Sequence, residues 1–128
     1  PVGLVTSPVD VCLANHHAFF DAMSKDFLQA VRPRIFIIQA WSASHPSHST
    51  IVRMMSDQTY PGPRDVFATN MMKATKTVIG PFADKMKSRQ GHIVLRVDPG
   101  GENYTIYILD DTNESFKIKA IHGPYNSQ

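Results

Sequence analysis

The chain predicts an α/β domain built on a mixed sheet, and three stretches carry that prediction. Two apolar runs, Val9–Asn15 (VDVCLAN) and Arg34–Ala40 (RIFIIQA), flank a short helical segment. The last third then changes character, to strands that alternate apolar and polar residues around turn chemistry. Strand, helix, strand with compact links is a βαβ unit, whose two strands run parallel in one sheet. Alternating strands after a tight turn instead predict antiparallel pairing with one wet face.

Each element has a local reason. Ser24 is an N-cap for a helix over Lys25–Val31, and Asp26 is favourable in its first turn. Phe27, Leu28 and Val31 share one face at helical spacing, and Pro33 ends the helix. Trp41–His48 is a loop of small polar residues, after which Ser47 or Ser49 caps a helix over Ile51–Ser56. Asp57–Asp65 carries two prolines and a glycine and is expected to be irregular. Val66–Thr69 reads as a third strand. Asn70 reads as the cap of a helix running to Ile79, broken at Gly80-Pro81 and followed by a second piece over Phe82–Lys87. Gly91–Asp98 and Tyr104–Leu109 form a hairpin around Pro99-Gly100-Gly101-Glu102, and Phe116–Ile121 adds another antiparallel strand.

Composition narrows the function classes. With 128 residues, 42% hydrophobic and 19% charged, the chain is one domain or part of one, long enough to bury a core. No apolar run approaches the ~20 residues needed to span a bilayer. A net charge of +2 without a clustered run gives no strong nucleic-acid signal. Lys73, Lys76 and Arg53 read as solvated surface rather than anion contacts. The single cysteine, Cys12, excludes an internal disulfide framework and reads as a buried, inert thiol. The chain opens Pro1-Val2-Gly3, without Met or a signal-peptide pattern, and is expected to be a processed product or a piece of something longer. Its compartment is undetermined.

The chemistry concentrates on histidine. His16-His17 directly follows the first apolar strand, and neutral imidazole is the commonest protein ligand for zinc. His45 and His48 lie in the loop after the second strand, opened by Trp41, which is placed to wall a pocket or to pack. Ligands of open α/β sheets bind in the crevice beyond the carboxyl ends of parallel strands, where all four histidines are expected. Catalytic zinc takes three protein ligands, so one pair is insufficient. His92 and His122 are read as structural or exposed. No carboxylate pair stands at a spacing suited to acid/base work, Asp110-Asp111 reading as a solvated turn, and no phosphate loop, HxxxH or CxxC is present.

The order VDVCLANHH, a helix leading into AVRPRIFIIQA, then SHPSHSTIVRMM, a VFAT strand and a closing GHIVLRV…YTIYIL hairpin resembles the metallo-β-lactamase superfamily. The likeness is to the branch of competence-type DNA-uptake hydrolases and phosphorylcholine esterases. It covers Val9 to Leu109, with residues 71–90 as an insertion-like helical segment. The resemblance implies that residues 1–128 are a single partial domain, the C-terminal half of an αββα sandwich. It places a metal ligand at His16, with His17 as the alternative, and a substrate pocket at His17, His48, His45 and Trp41. The intact fold would hold two zinc ions and act on a phosphoester or related small-molecule ester. The family's His-x-His-x-Asp-His cluster occurs nowhere in this sequence, so the zinc site is incomplete and the isolated chain is expected to be inactive. The partner implied is the missing N-terminal half, and an apolar face left by its absence favours self-association. The alternative is a non-catalytic interaction domain derived from such a half. The family's usual glycine before the histidines is Asn15, and its Gly-Ser after them is Ala18-Phe19, which alters the pocket floor.

Overall fold

A computed structural model describes residues 8–128. Its strands form two three-stranded sheets. The first, parallel and ordered β1-β2-β3, contains β1 (Val11–Leu13), β2 (Ile35–Ile38) and β3 (Asp65–Ala68). The second, antiparallel and ordered β4-β5-β6, contains β4 (His92–Val97), β5 (Asn103–Leu109) and β6 (Ile118–Asn126). Helices α1 (Lys25–Val31), α2 (His48–Met55), α3 (Lys73–Ile79) and α4 (Pro81–Lys85) complete the chain. The mixed α/β class thus takes the form of two separate sheets rather than a single one.

Alternation within the parallel strands builds two cores. Phe36, Ile38, Val66 and Ala68 face the helices, where Leu28, Ile51, Met54 and Ile79 are buried against them. Ile35, Ile37 and Phe67 point the other way, onto Tyr104, Ile106 and Ile108 of β5. Central strands covered on both faces need an unbroken apolar run, which RIFIIQA supplies. The layers are therefore helices, parallel sheet and antiparallel sheet.

The helices begin and end where local chemistry permits. The Ser24 hydroxyl accepts from the Phe27 amide at 3.2 Å, and α1 closes on Arg32 in the left-handed region just before Pro33. α2 starts a turn earlier than its apolar residues indicate. Ser47 is the cap, its hydroxyl accepting from the Thr50 amide, and His48 becomes the first helical residue. α3 starts at Lys73 behind Met72, without the side-chain cap expected of Asn70. Between α2 and β3 the irregular stretch wraps around one guanidinium. Arg64 donates to the carbonyls of Met54, Ser56, Tyr60 and Gly62 and lies over the Tyr60 ring, whose hydroxyl donates to Pro33 O at 2.7 Å.

The antiparallel sheet is incompletely covered. Leu95 pairs with Ile106 and Val97 with Tyr104, so all four share one face. Ile106 and Tyr104 are buried there, yet Leu95 and Val97 are 40% and 57% exposed. No described strand of the parallel sheet lies opposite them. On the outer face, Val94, Tyr107 and Ile121 form one cross-strand row, and Val94 and Ile121 are exposed as well. Among the described residues, no helix is long and apolar enough to cross a membrane.

Candidate functional site

Parallel pairing brings the ends of β1 and β2 to one edge. Leu13 pairs with Ile37, and the Ala14 amide donates to Ile37 O at 2.8 Å. Beyond that edge the chain makes a left-handed turn. His16, His17 and Ala18 have φ of 45°, 55° and 58°. Residues with a Cβ are disfavoured there by ~1–2 kcal/mol each, so the turn is strained and must be held from outside.

α2 and the residues that lead into it do the holding. The Ser47 amide donates to Ala18 O at 3.0 Å, and the Thr50 hydroxyl donates to Phe19 O at 2.7 Å. Arg53 then donates through Nε to Met23 O at 2.7 Å and through its terminal nitrogen to Ala22 O at 2.9 Å. Its guanidinium is consumed by backbone carbonyls rather than offered to an anion. Ala18 and Thr50 are completely buried, so the turn is clamped against the core.

The two imidazoles of the turn are oriented in the same way. His17 Nδ1 lies 2.5 Å from Gln39 O, an acceptor only, so Nδ1 carries the proton and Nε2 the lone pair. The Trp41 indole donates weakly to that Nε2 at 3.4 Å. His16 Nδ1 lies 2.7 Å from the Asp21 carboxylate, which likewise leaves Nε2 free. A ring nitrogen tied to a carbonyl or carboxylate, with the other left open, is how proteins prepare a histidine as a metal ligand. It equally suits a general base.

His45 completes the cluster. Its ring stacks on His17 at 4.6 Å between centroids and 17° between planes, and Trp41 meets it edge-on at 5.4 Å. His45 is buried and its Nδ1 has no partner. Burial first, and then the neighbouring His17 and His16, push its pKa below the ordinary value, which keeps it neutral at pH 7. Trp41 stands 71% exposed, and with exposed Leu13 and Phe20 it gives this end of the molecule an apolar, aromatic character. Beside the turn, a cavity of about 400 Å³ is lined by Leu13, Asn15, Asp21, Met23, Ser24 and Phe27.

The structure thus brings together His16, His17, Trp41 and His45, and leaves His48 apart. As the first residue of α2, His48 packs edge-on against Phe82 at 6.0 Å. His92 lies against Phe116 and His122 against Phe67, both away from the turn. Sequence reasoning missed Asp21, five residues from the histidine it orients, and the anchoring roles of Thr50 and Arg53. Neither spacing is a recognisable motif, because both depend on how the chain folds back. Cys12 is half-buried, and burial pushes its thiol up to about 11, well away from a reactive thiolate.

The donor chemistry of His16 and His17 fits a zinc ligand, but the number of donors does not make a complete site. Among the described residues, no group of three or more His, Cys, Asp or Glu side chains is placed to hold a metal. Comparison with known protein families, curated proteins and solved structures finds no match.

Proposed function

We propose that this chain is the C-terminal part of a zinc-dependent hydrolase of metallo-β-lactamase type, acting on a phosphoester or related ester and inactive by itself. The observation that carries the reading is the orientation of His16 and His17. Both Nδ1 atoms are tied, to Asp21 and to Gln39 O; among the described residues His16 Nε2 has no partner and His17 Nε2 only the weak Trp41 indole bond at 3.4 Å, at the carboxyl edge of a parallel sheet. Strained left-handed backbone at two successive imidazoles supports it, since such strain concentrates at functional sites.

Two features support an incomplete site rather than a small self-sufficient one. The cluster lacks a third ligand among the described residues. Leu95 and Val97 face inward, yet among the described residues no strand covers them. A further half of an αββα sandwich would supply both the missing ligands and the missing cover. When bound, zinc would supply Lewis acidity and an activated hydroxide. This chain's own part is to hold imidazoles at fixed angles and to wall the pocket with Trp41 and His45.

The test is to read the coding sequence upstream of Pro1 and to express the longer polypeptide with zinc. The expected result is a His-x-His-x-Asp-His cluster upstream and hydrolysis of an activated phosphodiester or ester, abolished by His16→Gln together with His17→Gln. Hydrolysis by residues 1–128 alone, or an upstream sequence without such a cluster, would overturn the reading.

A further inference from the structure

A second cleft lies at the other edge of the parallel sheet. Residues 87–89 run alongside β3 there. Phe67 and Ser88 form a parallel bridge, the Lys87 amide donates to Val66 O and the Ala68 amide to Ser88 O, both at 2.9 Å. That segment, α3 and the start of β6 enclose a cleft of about 390 Å³.

Its lining is unusual for this chain. Lys76 from α3, Lys87 and Arg89 from the bridging segment and Lys119 from β6 all border it, with Gln90 and Ser88, and no carboxylate does. Carboxylates stand only around the outside. Asp84 touches Arg89 at 3.5 Å but is 83% exposed, and Asp111 accepts from Gln90 Nε2 at 3.3 Å. Asp110 is committed to the amide and hydroxyl of Thr112 at 2.8 Å and 2.6 Å. Behind the cleft, burial and then the charge of Lys87 push the His122 pKa down, against an opposing pull from Asp65.

Of these four exposed cations only Arg89 contacts a carboxylate among the described residues, so together they raise the local positive potential and attract anions. We propose that this cleft binds a small ligand carrying two or more linked phosphoryl groups. Four cations around a cleft of about 390 Å³ offer more positive charge than one phosphate neutralises, which favours a ligand with linked phosphoryl groups that Arg89 and the lysines can meet together. The proposal is independent of the histidine cluster.

The probe is inorganic pyrophosphate, titrated calorimetrically into residues 1–128 at low and at physiological salt. The expected result is one saturable site with a Kd of ~10–500 μM, weakening as salt rises. Lys87→Gln combined with Lys119→Gln should weaken it about tenfold or more, whereas Lys25→Gln on α1 should leave it unchanged. All three positions are exposed, so the variants are expected to fold, and thermal melts check this. No saturable binding up to ~5 mM would overturn the proposal. So would orthophosphate binding as tightly as pyrophosphate, equal affinity in the double variant, or binding of a thymidine oligonucleotide but not of pyrophosphate.

Discussion

Replacing Arg53 with methionine separates the clamp on the histidine turn from the helix that carries it. Methionine keeps the apolar stem and the helix propensity but removes both donors, at 2.7 Å to Met23 O and 2.9 Å to Ala22 O. Hydrogen bonds from a charged donor are worth ~1.5–3 kcal/mol each, so the pair sums to ~3–6 kcal/mol at most. Arg53 is only half-buried, so water can rehydrate part of what is lost, and the expected destabilisation is ~2–4 kcal/mol. Without those two bonds the left-handed turn at His16, His17 and Ala18 loses part of what holds it and can rearrange. Two readouts should therefore move together. Urea unfolding should show a lower midpoint. In the absence of denaturant, the fluorescence of Trp41, whose indole meets both His17 and His45, should already differ from the parent's. Arg53→Lys should recover part of the stability through one remaining donor. A methionine variant within ~0.5 kcal/mol of the parent, with unchanged Trp41 emission, would refute the reasoning.

Further outcomes follow from other parts of the molecule. Gly91→Ala should destabilise by ~2–4 kcal/mol in the same urea assay, because its φ is +126° and an added Cβ would lie 2.7 Å from both Leu109 O and Ile108 Cγ2; a neutral effect would contradict that packing. Acidification should also destabilise the chain. The pKa values of His45 and His122 are lowered on folding, so below the ordinary value of ~6.5 the unfolded chain takes up protons that the folded one resists, and stability falls as pH drops through that value towards the lowered ones. Thermal melts between pH 7.5 and 5.5 should show the fall, and His122→Gln should reduce it; a flat profile would rule it out. Leu95→Thr combined with Val97→Thr should reduce any self-association seen by sedimentation velocity while leaving the fold intact, because both side chains face inward but are uncovered. Unchanged association would assign it to another surface.

What the sequence made legible was the part of the fold set by local pattern. Apolar runs around a capped helix marked β1, α1 and β2, and Pro33 marked where α1 ends. The hairpin of β4 and β5 was equally plain from its alternation and its Pro-Gly-Gly turn. For α2 the sequence narrowed the cap to Ser47 or Ser49, but not the start at His48, because His48 and Ser49 are weak helix formers that the apolar pattern does not include. β6 runs on through Gly123-Pro124 to Asn126, past the expected end at Ile121. An edge strand tolerates a proline whose missing N–H no neighbour needs.

The site was legible only in outline. Adjacent histidines after a strand, and a histidine loop after its parallel neighbour, put His16, His17, Trp41 and His45 at one sheet edge. His48 sits three residues from His45, yet the helix turns it towards Phe82. The left-handed turn itself was invisible, since nothing in Asn-His-His-Ala announces three positive φ angles. Tertiary anchors impose it. For the same reason Arg53 passed for a surface cation, although its guanidinium closes on two carbonyls thirty and thirty-one residues away.

The proposed function rests on two imidazoles tied at Nδ1, whose Nε2 atoms are proposed to take a metal together with ligands from outside this chain. Long-range ¹H–¹⁵N spectra of the histidine side chains, recorded during a zinc titration of residues 1–128, test it most directly. His17 should begin as the Nδ1-protonated tautomer, and zinc should shift the Nε2 resonances of His16 and His17 with weak affinity, before those of His92 and His122. A His17 tautomer protonated on Nε2, or a tight zinc site formed by this chain without them, would contradict it.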